Sequence, residues 1–556
     1  MSEVSFLDFE DLIDYATGRR SNGGWVTAYA QEKRDNEQSS YYSALVPVDE
    51  IDARLVEPSW DLDLGDGTPG FSFYFDGRES QYHRFGDDSA IEPLVIRRYF
   101  YGMKPSCVEV CEEFRHFHNL YEDRATHTLL AFDESGDEIE VVRVSDDRVE
   151  VRVKYLKEYL AARGMALLLL YVIDRWSEKS LEELGMTRQN EHQGGSGSDY
   201  RYLRSVDAFP DLAPERNTCG RLLGKAVMRG AENYDPKRSW QRHERKYEDF
   251  IIGVDDDGEE VQHTCDEEEL ANNFGKNTGA PHFLTSVFFR REVLAKYYNE
   301  PGKFSVEDGY LRCAGYWGMP LDNNHRKYVT VFLGDLGKLP HKEQLYWTRY
   351  NVAPDGRMSD VNFRRSMLGQ WADATEPALL FKRTYERFGE NWQSQQGWGL
   401  FKKLKPADAH HWTSLHVPSD GNQKEFDEQI MSLTKLLVDR INEAEVGKRA
   451  TLEPNDKGGI TKFGRYLDDI GFTEARAFVQ LLRNLQSLRS GVAHVKNTKN
   501  NSDYQKAVRF FDLDARGLSQ GFADILDEAT VFIGKLEEKV VTTSDEETPS
   551  CRRPGA

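Results

Sequence analysis

The sequence predicts a multidomain α+β protein: a mixed α/β N-terminal region, then a C-terminal all-α antiparallel helical bundle. Three observations carry this. Strand-like and helix-like segments alternate up to about residue 415. Strand signals then stop, and from Glu425 apolar residues recur at helical spacing. The 556 residues leave room for roughly two to four domains. The expected divisions are 1–225, an α+β domain with a sensor or regulatory role; 226–415, a second α+β domain; 416–541, the bundle; and 542–556, a polar, proline-containing, disordered tail.

In chain order, GFSFYFDG (70–77) reads as a strand and HTLLAFDESGDEIEVVRV (127–144) as a hairpin turning at Glu134-Ser135-Gly136. VEVRVKYLKEYLAARG (149–164) reads as a helix stopped by Gly164. MALLLLYVI (165–173) follows as a buried strand, too short to span a bilayer. GGSGS (194–198) marks a loop.

In the second region, YEDFIIGVDDDGEEVQHT (247–264) reads as a hairpin over Asp257-Gly258. FLTSVFFRREVLAKYYNEPG (283–302) passes from strand to helix, and YVTVFLGDLGKLPHKEQLYW (328–347) runs strand, turn, helix start. Both regions share an order of hairpin, helix carrying KYL or KYY, then strand. That order suggests a duplicated α+β unit, although it fits no named repeat.

In the third region, Phe426, Ile430, Leu433, Leu437 and Ile441 fall on one helical stripe. Leu518, Phe522, Ile525, Ala529, Phe532, Leu536 and Val540 form another. GITKFGRYLDDIG adds a short helix, and polar loops are expected at 447–458 and 495–503. The sum is a bundle of four or five helices.

Charge and motifs narrow the function. The formal net charge is −22, which argues against broad electrostatic binding to nucleic acid; an RNA contact would have to be focused. Only Cys107 and Cys111 of six cysteines are close, and their spacing fits no zinc pattern. No signal-peptide shape or membrane span is present, so a cytoplasmic chain with reduced thiols is expected. DDDGEE (255–260) has its glycine at the wrong offset for a calcium loop. HFH (116–118) and HH (410–411) lack partners at helical metal spacing, so satisfied or exposed histidines are expected. FLGDLGKLP (332–340) reads as a strand-end turn, having neither phosphate-loop pattern. The aromatic and polar stretch around Trp317–Asn351 reads as core with wet edges rather than a recognition groove. No cofactor and no metal site is expected.

One stretch carries chemistry: LLRNLQSLRSGVAHVKN (481–497). Thr473 is the expected N-cap of its helix, with Glu474 in the first turn. Phe478, Leu481, Leu482, Leu485 and Leu488 form one stripe, and Arg489 falls almost in its middle. An arginine among leucines needs a carboxylate, a partner subunit or an anionic ligand to meet it. His494 lies on the far side of an unbroken helix and approaches Arg489 only if the chain ends or bends, which Gly491 permits. The spacing also occurs at Arg78–His83 and Arg238–His243, but only the third pair sits in a helical domain.

RSGVAH, Arg489 to His494, together with the flanking long helices, resembles the HEPN domain family (higher eukaryotes and prokaryotes nucleotide-binding). The resemblance covers under a quarter of the chain. It implies an antiparallel helical bundle whose Arg-x4-6-His motif forms a metal-independent endoribonuclease site, with Arg489 and His494 as catalytic residues. It also implies a homodimer or larger assembly with the two motifs facing across an interface. The setting it implies is bacterial antiphage or abortive-infection defence, with RNA such as tRNA as substrate. The family often has Asn directly after the arginine, where this chain has Ser490. The N-terminal part resembles sensor regions of bacterial defence proteins, which implies a phage-derived trigger.

Such a pair suits RNA, which carries its own nucleophile. Histidine can move the proton of the 2′-OH or of the leaving 5′-oxygen, and arginine can brace the phosphoryl oxygens. The competing reading is a non-catalytic dimerisation or partner-binding bundle. Arg489 would then pair with an internal carboxylate such as Asp427 or Glu428.

Overall fold

The computed structural model describes residues 2–18, 23–60, 70–72, 81–83, 91–208, 217–235, 245–325, 327–354, 357–419, 422–493 and 502–546. The chain forms two compact units, residues 1–133 with 137–244, and residues 134–136 with 245–556.

The first unit is built on one antiparallel sheet of eleven strands. Its main path uses β1 (Trp25–Arg34), β2 (Glu37–Pro47), β3 (Tyr121–Asp123), β4 (Thr128–Phe132), β5 (Glu138–Ser145), β6 (Arg148–Arg152), β7 (Met165–Ser177), β8 (Gln189–Gly194), β9 (Tyr200–Ala208) and β10 (Thr218–Met228). The order is β8-β9-β10-β7-β2-β1-β6-β5-β4-β3, and Glu92–Pro93 also pairs with β2. The apolar run 165–173 therefore lies mid-sheet, buried on both faces. Arg175 at its far end is buried and held by Asp11 and Glu37, each at 2.6 Å.

The hairpin at 127–144 is present as β4 and β5, and the 194–198 loop joins β8 to β9. Of the predicted strand 70–77, Gly70–Ser72 is a strand and the rest lies outside the described residues. The helix expected over 149–164 starts later. Residues 148–152 are β6, paired with both β5 and β1, and only α1 (Val153–Arg163) is helical. Val149 and Val151 alternate into the core, a period-two signal that outweighs the helical reading. Gly164 ends α1 in the left-handed conformation, as expected.

The second unit begins with small sheets. These are a hairpin (Asp249–Val254 with Glu260–Thr264), a three-stranded sheet with Ser286–Arg290 in the middle, and a three-stranded meander over Phe304–Pro320. Nothing in this layout repeats the eleven-stranded sheet, so the described residues show no duplicated unit. The shared KYL and KYY segments sit in unlike surroundings. α1 follows directly on the interior strand β6 of the large sheet, whereas Lys296-Tyr297-Tyr298 lie in a short helix whose Tyr297 is buried against Trp347 and Glu343.

Helices follow: α2 (Pro377–Gln396), α3 (His410–Thr413), α4 (Gln423–Thr434), α5 (Glu443–Arg449), α6 (Gly459–Asp469), α7 (Ala475–Ala493), α8 (Ser502–Phe510) and α9 (Leu518–Glu546). Their shared core holds Phe426, Ile430, Leu433, Leu437, Phe478, Leu481, Leu485, Phe522 and Phe532. Every predicted stripe position from Phe426 to Ile441 is buried, as are Phe522 to Val540. Burying each of their leucine, isoleucine, valine or phenylalanine side chains is worth about 1.5–3 kcal/mol. The core also takes in Phe381, Tyr385, Phe388 and Trp392 of α2, upstream of residue 416. α9 continues to Glu546, and 547–556 lie outside the described residues. No helix among the described residues is long and apolar enough to cross a membrane.

Candidate functional site

α7 forms because its apolar residues recur every three to four positions, which buries Phe478, Leu481, Leu482, Leu485 and Leu488 almost completely. Thr473 does not cap it. The Thr473 hydroxyl donates to the Glu474 carboxylate, and the first helical bond runs from Phe478 N–H to the Glu474 carbonyl. Gly491 does not bend the helix either, which is continuous to Ala493. Its role is contact: the Tyr504 ring lies against it. Ser490 donates to the Gln486 carbonyl at 2.9 Å, within its own helix.

The predicted arginine is met by a carboxylate. Arg489 Nη1 donates to both oxygens of Asp439, each at 2.6 Å. The partner is neither Asp427 nor Glu428. Asp427 accepts from Gln423, while Glu428 lies 3.8 Å from Lys424. His494 lies outside the described residues, so the structure places only the first member of the motif.

Asp439 is positioned by a break in helical phase. After Thr434 the helix widens into a π-type turn, Lys435–Asp439. Such turns leave carbonyls without their usual partners. Here the buried Tyr385 hydroxyl donates to the Leu436 carbonyl at 3.1 Å. The chain leaving the turn is tied to residues 400–402: Lys402 N–H donates to the Arg440 carbonyl at 2.7 Å and Asn442 N–H to the Leu400 carbonyl at 2.8 Å. Asp439 is thus held from both sides of the turn.

Ser432, Lys435 and Asp439 follow one another along this face, and each holds a group from another segment. Ser432 Oγ meets His411 Nδ1 at 3.0 Å. Lys435 pairs with Asp408 at 3.3 Å, and Asp439 with Arg489. Partial burial keeps His411 below the usual histidine range, helped by His410 and Lys435 and opposed by Asp408 and Asp439. This favours the neutral imidazole, the form that can accept a proton. Sequence reasoning missed Asp439 as the partner of Arg489, and Lys435 and His411 as charged and titratable groups on the same side as Asp439. The paired histidines at 410–411 were the one available signal.

Of the histidines in HFH, His116 is exposed and His118 is satisfied, as expected. His118 meets the Tyr155 carbonyl at 2.9 Å, and burial lowers its pKa to about 4. DDDGEE forms a hairpin turn in which Asp255 accepts from Asp257 and Glu259 N–H. Among the described residues no three His, Cys, Asp or Glu side chains group as metal ligands.

In the first unit, the hairpin joining Val95–Arg98 to Cys107–Val110 concentrates cations and aromatics. Arg97 stacks on Tyr99 at 4.6 Å and Arg98 on Phe100 at 5.3 Å, while Tyr101 and Met103 are 96% and 83% exposed. Lys104 follows in the same turn.

No family model, no curated protein and no solved structure matches the chain.

Proposed function

We propose that the C-terminal helices carry a metal-independent endoribonuclease centre of the HEPN kind, with Arg489 as the phosphate brace and His494 as the proton carrier. One observation supports this above the others. Asp439 occupies only Nη1 of Arg489, so the Nε–H and Nη2–H edge of the guanidinium has no protein partner among the described residues. That edge has the fork geometry that phosphoryl oxygens accept. Asp439, fixed by the π-type turn, holds the fork in one orientation, and turns of this kind recur at functional sites.

In the proposed reaction the 2′-oxygen attacks the neighbouring phosphorus as a base takes its proton. The phosphorus–5′-oxygen bond breaks, and an acid protonates the leaving oxygen. A 2′,3′-cyclic phosphate results, and DNA resists because it has no 2′-OH. In a homodimer, two His494 side chains divide the base and acid roles. The exposed Arg–aromatic hairpin supplies the focused RNA contact that an acidic chain needs. The N-terminal region senses a trigger, in keeping with a role in antiphage defence in the cytoplasm.

A second reading is a dimerisation or partner-binding module. It is favoured by the Arg489–Asp439 pair itself, which already neutralises the arginine.

The test is cleavage of total bacterial RNA and of a tRNA pool in EDTA by wild type, Arg489→Ala and His494→Ala, with thermal melts of each. Loss of cleavage in folded variants supports the nuclease. Unchanged cleavage in both variants removes this site, and unfolding of Arg489→Ala alone favours the binding module.

A further inference from the structure

A cavity of about 470 Å³ in the second unit has no part in this reading. One wall is α2, which presents Leu379, Lys382, Arg383 and Glu386 at helical spacing. The facing wall is the strand Phe304–Glu307 with Asp308, and Trp412 and Thr413 of α3 close the end. The volume suits a small organic molecule, and Leu379, Val306 and Trp412 give it apolar surface.

Most charges around it are committed. Asp308 accepts both outer nitrogens of Arg365, at 2.8 and 2.7 Å. Arg383 pairs with Asp373 and stacks on Trp371. Glu307 lies 3.8 Å from Arg312.

Lys382 is the exception. Its amine has a single contact, the Thr413 carbonyl at 3.5 Å, and no carboxylate among the described residues lies within ion-pair distance. A cation so placed is costly, and the cost falls when the amine is neutral. Burial accordingly brings its pKa down to about 8, with Glu376 and Glu386 pulling the other way. Glu386, one helical turn on, has its carboxyl raised by burial and by Glu390.

We propose that Lys382 is the covalent anchor of a carbonyl-binding site for a small aldehyde or ketone. The amine nitrogen adds to the carbonyl carbon, and the carbonyl oxygen takes a proton to give a carbinolamine. The nitrogen then loses its proton and the hydroxyl leaves as water, giving an imine that water can reverse. No oxidant or reductant is consumed. Glu386 stands on the same helix face to protonate the departing hydroxyl.

The test uses the full-length protein with benzaldehyde and cyanoborohydride, which reduces any imine to a stable amine. Peptide mapping by mass spectrometry then compares lysines. At pH 7.5 Lys382 should be labelled roughly tenfold or more faster than exposed Lys424 and Lys506, since an ordinary lysine is almost wholly protonated there. Its labelling rate should level off above about pH 8. Lys382→Arg keeps the charge and should lose that one adduct. If the variant does not fold, the wild-type map alone decides. Labelling of Lys382 at the rate of the exposed lysines, or none at all, overturns the proposal.

Discussion

The ring of Tyr504 lies so close to Gly491 that a β-carbon there would stand 2.2 Å from Cδ2. Glycine is required by this packing of α8 on α7, not by a turn. Gly491→Ala should destabilise the protein by about 1–3 kcal/mol through overpacking. The sign is informative, because the same change in a free helix stabilises by about 1 kcal/mol. Urea unfolding measures it, and adding Tyr504→Leu should recover part of the loss.

Asp439→Asn tests the brace without removing it. The amide keeps one acceptor but loses the charge that holds Arg489. RNA cleavage should fall by about tenfold or more, and less than in Arg489→Ala, for which about 10²–10³ is expected. The melting temperature should change little, since a partly exposed ion pair contributes on the order of 1 kcal/mol or less. Equal cleavage by Asp439→Asn and wild type would dissociate the carboxylate from the chemistry.

The exposed hairpin should matter for RNA retention and not for folding. Tyr101→Ser with Met103→Ser removes surface that no core uses. RNA affinity should weaken by about 1–3 kcal/mol if a base stacks on Tyr101. Filter binding at two salt concentrations, beside a thermal melt, separates stacking from charge. Unchanged affinity would move the contact elsewhere.

His118 gives a pH dependence with a definite sign. Its pKa is about 4 when folded and near 6.5 when exposed. Between these values the unfolded chain binds more protons, so stability rises with pH from about 4 to 6.5 and is level above. The slope from this one group is at most about 1.4 kcal/mol per pH unit. Subtracting the urea stability of His118→Phe from that of wild type across this window should isolate it.

What the sequence disclosed follows from how locally each feature is encoded. The leucine stripe of α7 was legible because helical periodicity is written within twenty residues. So was the demand for a partner at Arg489, since a cation on an apolar face is an anomaly wherever it sits. The identity of that partner was not legible. Asp439 reaches Arg489 through a π-type turn, which shifts the phase of everything after Thr434, and no spacing rule anticipates the extra residue. The start of α1 was misjudged because strand passes into helix at Arg152 with no glycine, proline or polar cap between them. Lys382 escaped notice because its cavity is assembled from three segments far apart in the chain.

The wide turn at Lys435–Asp439 has a genetic corollary. It amounts to one amino acid more than a regular helix would use over the same rise. A single in-frame codon deletion within Lys435–Val438 would let the backbone relax to ordinary winding with the residues on either side kept in place, so Asp439 would still face Arg489. A codon lost from a regularly wound stretch such as α7 would instead swing whatever follows by about 100° around the axis. The extra residue of the wide turn is thus a codon the helix can spare.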